Sequence, residues 1–509
     1  MRTRQKTMLV GLIAGGLSFS FNVGQAQSRI SFDEALQVTR TKSHVLKQSN
    51  YLEKQKEQEM KAARGLYFPN LSLNADYLQM SDDIHLDLTP VRDAITPLYQ
   101  ALSNYGKFSG VPNPDPKTAS VMPILPDDVS TAAIRGKLKE GLQQINSAEW
   151  DKIIQKKGFA TVSAGVTWPL YTGGKIDAAN KAAKFKVDEA KQTDRQKQGE
   201  LTSELAERYY GLCLAKQALM VRQEVLKGME SHLTDAEKMQ KQGMLANAEV
   251  LHAKVFYTQA DRELKKSQRD IEIINQALIN TMSLEDNQEI EPSSPLFYLA
   301  DIESSDYFKQ LALKNNPLLS QVAIKKELAH QGARAETANY FPTLAVIGTY
   351  DIVNKDLSPY MPDWMVGVGL RWTVFDGASR SKKVKAAQYV EDQVREAELK
   401  AKDDIRTVIE KLHQELMMDV EQLHQLETSY QFAEEYLRVR EKAFREGMSN
   451  STEVVDARLN LAKVKMERLQ VAYQFDVALA KILEFSGISE QYVAYQNRAG
   501  AVQTSYTFN

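Results

Sequence analysis

The sequence predicts a mixed α and β membrane protein with an internal two-fold repeat, each copy carrying two transmembrane β-strands and long coiled-coil helices. Three observations carry this reading. The motif Trp168-Pro-Leu-Tyr-Thr-Gly173 returns as Trp372-Thr-Val-Phe-Asp-Gly377, 204 positions later. Each copy of the motif closes a segment of strict apolar/polar alternation. Each then opens a helical pattern of great length, free of proline and poor in glycine.

The repeat extends well beyond the motif. At the same offset Lys181-Ala182-Ala183 recurs as Lys385-Ala386-Ala387, and Gly243-Met244 as Gly447-Met448. Glu249, Val250 and Ala253 recur as Glu453, Val454 and Ala457. Upstream the offset is 273: Tyr67-Phe68-Pro69 matches Tyr340-Phe341-Pro342, Leu46 matches Leu319, and Ala62 matches Ala335. The two offsets differ by 69, so the first copy holds an insertion of that size between residues 71 and 160. The expected order is a signal segment at 1–26, a first copy at 27–285 with its insertion at about 80–157, and a link at 286–304. A second copy at 305–487 and a polar tail of unassigned structure at 488–509 complete it.

The N-terminal residues read as a targeting segment. Arg2, Arg4 and Lys6 precede an apolar run over 8–21, and Gly24-Gln25-Ala26 is a small-x-small cleavage site. The run is shorter than the ~20 apolar residues that span a bilayer, so export is expected rather than anchoring. No other stretch approaches a transmembrane helix, which leaves a β-barrel or a soluble exported chain.

The strands follow from period. In 71–80 the odd positions begin Leu71, Leu73, Ala75, Tyr77, against Ser72, Asn74 and Asp76. In 160–170 the apolar set is Ala160, Val162, Ala164, Val166, Trp168 and Leu170. Val346, Gly348, Tyr350 and Ile352 alternate with Thr349 and Asp351, and Val366, Val368, Leu370, Trp372 and Val374 with Gly367, Gly369, Arg371 and Thr373. Four dyad-alternating segments of about ten residues match barrel strands, and the aromatics suit interfacial girdles. A sandwich with one buried face is the alternative, but no second sheet is apparent to cover these strands. Four strands cannot close, since about eight form the smallest barrel. Several copies of the chain are therefore expected in a closed ring.

The long helices are expected from 176 to a turn at Gly243, and from 379 to 446, each roughly 90–100 Å at 1.5 Å per residue. Ile405, Ile409, Leu412, Leu416, Val420 and Leu423 form a stripe of helical period, read as a coiled-coil seam. Shorter helices are expected at 31–64, 249–282, 305–337 and 451–485. Gly243 and Gly447 mark the helix–helix turns, and Asn450-Ser451-Thr452 before Glu453 is capping chemistry. In the insertion, prolines 112, 114, 116, 123 and 126 predict an irregular middle, and 134–154 one or two short helices. The insertion would lie outside the cell as a partial lid over the barrel mouth.

Composition excludes several functions. With 64 basic and 66 acidic residues, nothing points to nucleic acid. A lone cysteine, Cys213, rules out an internal disulfide and reads as a small packing residue. The seven histidines lack metal-ligand spacing, no G-x-S-x-G occurs, and Gly173-Gly174 lacks the phosphate-loop frame. No enzyme activity, metal or cofactor is expected, and Gly173, Gly174 and Gly377, with Trp168 and Trp372, are read as strand-to-helix corners.

The signal segment, Y-F-P-x-L before strands, W-x-x-[YF]-x-G after them, and G-M turns followed by E-V-x-x-A resemble the TolC family of outer-membrane channel proteins. The resemblance covers nearly the whole mature chain, in both copies and in order. It implies a homotrimer with a twelve-stranded barrel in outer-membrane lipid and an α-helical tunnel extending into the periplasm. It implies the exit duct of a tripartite efflux pump or type I secretion system, docking a periplasmic adaptor and an inner-membrane transporter. Carried over by motif, Gly243, Met244, Leu245, Gly447, Met448 and Ser449 are the adaptor-docking tip. Glu453 and Asp456, with Glu249 of the neighbouring turn, are the periplasmic aperture. Glu453 and Asp456 lie three apart on one helix face, so threefold symmetry would gather six carboxylates and attract cations. Ser449 stands where well-studied members place an arginine that latches the aperture. The rival reading is a soluble periplasmic coiled-coil scaffold or adaptor, which would not need detergent for extraction.

Overall fold

A computed structural model describes residues 28–104, 129–285 and 288–506. The expected signal segment and the insertion's five prolines lie outside the described residues. In chain order the elements are β1 (Ser28–Ile30), α1 (Phe32–Lys42), α2 (His44–Arg64), β2 (Asn70–Gln79), β3 (Ile84–Asp87), α3 (Thr89–Ser103), α4 (Val129–Ser147), β4 (Asp151–Gln155), β5 (Gly158–Tyr171), α5 (Lys175–Lys241) and α6 (Asn247–Met282). They continue with β6 (Ile290–Pro292), β7 (Leu296–Leu299), α7 (Ser305–Asn315), α8 (Pro317–Ala338), β8 (Thr343–Lys355), β9 (Trp364–Arg371), α9 (Ser379–Arg445), α10 (Ser451–Phe485), α11 (Tyr492–Gln496) and β10 (Ala501–Thr504). Two compact units emerge, each drawing on both copies: one from 62–177 with 335–380, the other from the remaining described residues.

The helical unit is built on α5 and α9, each 67 residues long. The seam residues Ile405, Ile409, Leu412, Leu416, Val420 and Leu423 are all buried, as a helical stripe facing a core requires. The leading helices are each broken once, at Ser43 and at Asn316, where the backbone turns extended (ψ 125° and 123°). These breaks lie 273 apart, the offset of the repeat. Pro317 disfavours a helical residue before it, and the Asn316 side-chain oxygen accepts the N–H groups of Leu318 (2.8 Å) and Leu319 (3.1 Å). Ser43 has no such proline behind it, so the first break carries no comparable signal.

An aromatic cluster joins the elements: Phe32, Tyr209, Tyr210, Phe297, Phe475 and Tyr492 are each at most 1 % exposed. Two of these come from the link and the tail. Phe297 lies on β7 in the link, and Tyr492 on α11 in the tail; β10 then pairs antiparallel with β7. Ile488, Tyr492 and Tyr495 of the tail are thus part of the core, apolar residues with no period in the sequence to reveal them. Cys213 is buried and unpaired, its Sγ 3.3 Å from the Ser294 carbonyl, and burial pushes its thiol well above the usual range. Asp476 is fully buried, and this raises its carboxyl well above the usual carboxylate range; it accepts from the Phe297 N–H and the Tyr492 hydroxyl, both 3.4 Å.

The strand unit holds a four-stranded antiparallel sheet in the order β2-β5-β8-β9. Its register sorts the side chains by chemistry. Leu73, Ala164, Tyr350 and Trp364 form one cross-strand row, and Leu71, Val166, Gly348 and Val366 the next on the same face. The other face carries Asn74 opposite Ser163 opposite Asp351, and Gly165 opposite Thr349. Two details differ from the sequence reading. The pairing jumps from Ser163↔Asp351 to Val162↔Val353, so Ile352 is the extra residue of a bulge and Val353 takes its place in the register. β9 ends at Arg371, short of the expected Val374. Three two-stranded sheets accompany the main one: parallel β1–β6, and antiparallel β7–β10 and β3–β4. The last lies in the insertion, where 151–155 is a strand rather than the expected helix.

Candidate functional site

The two helix–helix turns have one backbone. Gly243 (φ +75°) donates to the Gln240 carbonyl at 2.9 Å, and Met244 to the Met239 carbonyl at 2.9 Å. Gly447 (φ +74°) donates to Phe444 at 3.0 Å, and Met448 to Ala443 at 2.8 Å. Both are helix ends closed by a left-handed residue. A Cβ at either glycine would meet nothing within 4 Å, so the backbone angle and not space requires the glycine. Met244 and Met448 are exposed, 61 % and 71 %, while Leu245 packs against Ala236, Val250, Ala253, Phe444 and Val454.

The side chains around that backbone differ. At the second turn the Asn450 side chain caps α10 by accepting the Glu453 N–H at 2.9 Å; at the first, Ala246 offers no cap to α6. The Glu453 carboxylate accepts from Ser449 Oγ at 2.5 Å and from Arg440 Nη1 at 2.9 Å. Ser449 therefore still holds the carboxylate, with the charge supplied by an arginine on α9. Arg440 also lies over the Tyr436 ring, 4.9 Å from its centroid. Asp456, one turn further, is exposed. Glu249 is half-buried, and its Oε2 has no hydrogen-bond partner. The repeat explains this: the positions of Arg440 and Ser449 are occupied in the first copy by Ala236 and Leu245.

Behind the second turn lies a clasp that no motif in the sequence announces. Arg458 of α10 crosses α5 at Gly228, where a Cβ would overlap the guanidinium, and pairs with Glu441 of α9. One turn on, His232 lies 2.7 Å from Ser451 Oγ and against the Phe444 ring. Burial, reinforced by Arg458, depresses its imidazole to about 4, so it is neutral at pH 7. The only sequence signal was a glycine inside a long helix.

The strand-to-helix corners repeat as well. Trp168 Nε1 donates to the Tyr67 carbonyl at 3.0 Å, and Trp372 Nε1 to the Tyr340 carbonyl at 3.1 Å. Gly173 (φ +65°) packs so closely that a Cβ would lie 2.5 Å from the Ala338 oxygen; Gly174 follows at φ +90°. In the second corner Gly377 (φ +67°) has open space, and Ala378 adopts φ +64° in the place of Gly174. Here Asp376 accepts from Arg380 N and Nε, both 3.0 Å, and Arg380 also reaches the Asn339 and Val374 carbonyls. In the first corner the Tyr67 hydroxyl bonds Asp177.

Among the described residues no cluster of His, Cys, Asp and Glu suits a metal ion, and no helix is long and apolar enough to cross a membrane. A family model described as outer membrane efflux protein matches residues 154–283 and 309–487. The fold is similar to that of the outer membrane protein VceC from Vibrio cholerae (TM-score 0.64, 13 % identity, 90 % of this chain and 96 % of that one). It is also similar to the Campylobacter jejuni CmeC outer membrane channel (0.65, 11 %, 97 % and 98 %) and to the Neisseria gonorrhoeae MtrE outer membrane channel (0.62, 12 %, 90 % and 89 %). No curated protein matches the chain.

Proposed function

The chain belongs to the outer membrane efflux protein family, and from that premise we propose that it is the outer-membrane exit duct of a tripartite efflux pump or type I secretion system. One observation carries the reading: the sheet has one continuous apolar face, and that face is bare. Leu71, Leu73 and Tyr77 on β2 are each 71 % exposed, and Val366, Val368 and Leu370 on β9 are 66–69 % exposed. Lipid is the solvent that removes this cost, and the polar face then lines water. The protein is no enzyme; it conducts.

Both edges of the sheet, β2 and β9, are unpaired in the single chain, and backbone groups left open in a membrane cost several kcal/mol each. Three copies close them into a twelve-stranded barrel. The seam's register follows from the repeat. β5 and β8 pair across the two copies of the unit, so β9 pairs in the same manner with β2 of the next chain, Trp372 opposite Leu73 and Arg371 opposite Asn74. The helices extend into the periplasm, where Gly243, Met244 and Leu245 with Gly447, Met448 and Ser449 meet an adaptor linked to an inner-membrane transporter. Asp456 supplies the free carboxylate of the aperture, and Glu453 is held back by Arg440.

Planar-bilayer conductance of the detergent-extracted protein tests this. Asp456→Asn lowers cation selectivity; Glu453→Gln frees Arg440 and raises conductance. Conductance unchanged by both moves the aperture elsewhere. A protein that stays in solution without detergent and conducts nothing is a periplasmic scaffold instead.

A further inference from the structure

The apolar surface that the sheet leaves bare does not stop where β2 ends. Ile84 and Leu86 on β3, and Leu88 after it, are exposed, and α3 continues the series. α3 packs on α4, and Tyr99 marks the packed side: a Cβ on Gly141 of α4 would lie 3.1 Å from its ring. Along that side Arg92, Ile95 and Thr96 are half-buried and Ser103 is buried. On the opposite side Val91, Ala94, Pro97, Leu98, Ala101 and Leu102 are all exposed, Leu98 at 58 %. At roughly 100° per residue these six share a contiguous arc of about 140°, with no polar residue inside it. So wide an apolar arc left bare on a helix marks a surface that something covers.

We infer that α3 lies on the outer-leaflet surface of the outer membrane, its apolar arc in lipid, beside the barrel rather than across its mouth. The inference rests on the duct reading, since the lipid-facing sheet is what brings α3 to the membrane. The chain holds α3 close to the sheet. Met80 N donates to the Lys157 carbonyl and Leu88 N to the Trp150 carbonyl, both at 2.7 Å, with the β3–β4 pair between them. The two segments leaving β2 and β5 thus stay bonded to each other up to the first turn of α3. The charges of α3 also suit a helix lying in an interface. Arg92 and Asp93 are its only charged residues, they lie outside the arc, and they pair with each other at 2.8 Å, so no charge enters lipid. On the outer surface of α4, Lys137 and Lys139 are exposed, cations that fit headgroup phosphates. A second copy of the chain fits the arc less well. Protein interfaces are anchored by aromatic or arginine side chains, and the arc has neither. Lipid asks only for apolar area.

The test places single cysteines in the full-length protein, labels them with an environment-sensitive fluorophore and reconstitutes each variant in phosphatidylcholine–phosphatidylglycerol vesicles. Native Cys213 is buried and leaves the background low. Leu98→Cys reports the arc, Gln143→Cys the exposed surface of α4, and Leu73→Cys the apolar face of the sheet. The quenchers are aqueous iodide and lipids carrying a nitroxide, either just below the headgroup or deep in the chain. The inference expects the shallow nitroxide to quench the Leu98→Cys label about twofold more than the Gln143→Cys label, and iodide to show the reverse order. Lipid quenching of the Leu73→Cys label, with the Leu98→Cys label open to iodide, overturns the inference and leaves the duct intact. A Leu98→Cys label shielded from iodide yet untouched by either nitroxide is covered by protein, a second copy or another segment of this chain, and this overturns the inference as well. Lipid quenching at neither Leu73→Cys nor Leu98→Cys overturns the duct reading itself.

Discussion

The two helix–helix turns share a backbone and differ in the side chains that hold it. Gly243 and Gly447 adopt the same angle to within a degree and make the same two hydrogen bonds. Around the second, Asn450 caps, Arg440 and Ser449 grip Glu453, and Arg458 clasps three helices. Around the first, Ala246 does not cap and Glu249 has an unmatched oxygen. Both turns keep glycine because the left-handed angle at this position favours it, while the flanking residues follow their neighbours, which differ between the copies.

The comparison breaks hardest at Gly228. Gly228→Leu would displace Arg458 and strand a charge in a partly buried site, a loss of about 3 kcal/mol by thermal melting of the helical circular dichroism. A melt like wild type would mean that the second turn does not depend on its clasp. Asp419 comes next. It stands in the apolar seam of α9 where the first copy has Ala215, and burial, with Glu415 adding, raises its carboxyl to about 7. A raised acid binds its proton more tightly in the folded chain, so stability falls as pH rises from about 4 to about 7. Asp419→Ala should gain about 1–2 kcal/mol at pH 8 and nothing at pH 4; equal gains at both would show that the carboxylate is solvated.

His232 sharpens the comparison in the opposite sense. Its folded value of about 4 is below the ordinary ~6.5, so the folded chain binds fewer protons and loses stability as pH falls through that window. Limited proteolysis at the second turn should accelerate between pH 6.5 and 4, and His232→Gln should abolish that acceleration while the first turn stays constant. The smallest effect belongs to the caps. Asn450→Ala should cost about 1 kcal/mol and Ala246→Asn should return about half as much, read as shifts of the same melt.

Much of this architecture was legible because its signals are long. The helix expected at 379–446 is found at Ser379–Arg445, since a seam repeated over many turns tolerates no other period. The corners were legible because Trp168 and Trp372 sit at one offset, and each indole finds a carbonyl of the matching Tyr-Phe-Pro motif. Short features were not. One residue breaks α1 from α2, and a single extra residue, Ile352, shifts a register. Of the candidate site, the turns and acidic residues were legible by motif, but Arg440, Gly228, His232 and Arg458 were not. Their partners lie on other helices, and no local spacing announces them.

By itself the sequence determined the repeat, the four amphipathic strands and the long helices, because periodicity and backbone angles are local properties of residue type. Tertiary structure alone decided that Tyr492 of the tail enters the aromatic core, that Glu453 pairs with Arg440, and that Leu251 of α6 and Phe432 of α9 stay exposed. Those outcomes depend on which helix lies beside which, and adjacency in space is set by packing between distant segments rather than by any neighbour in the chain.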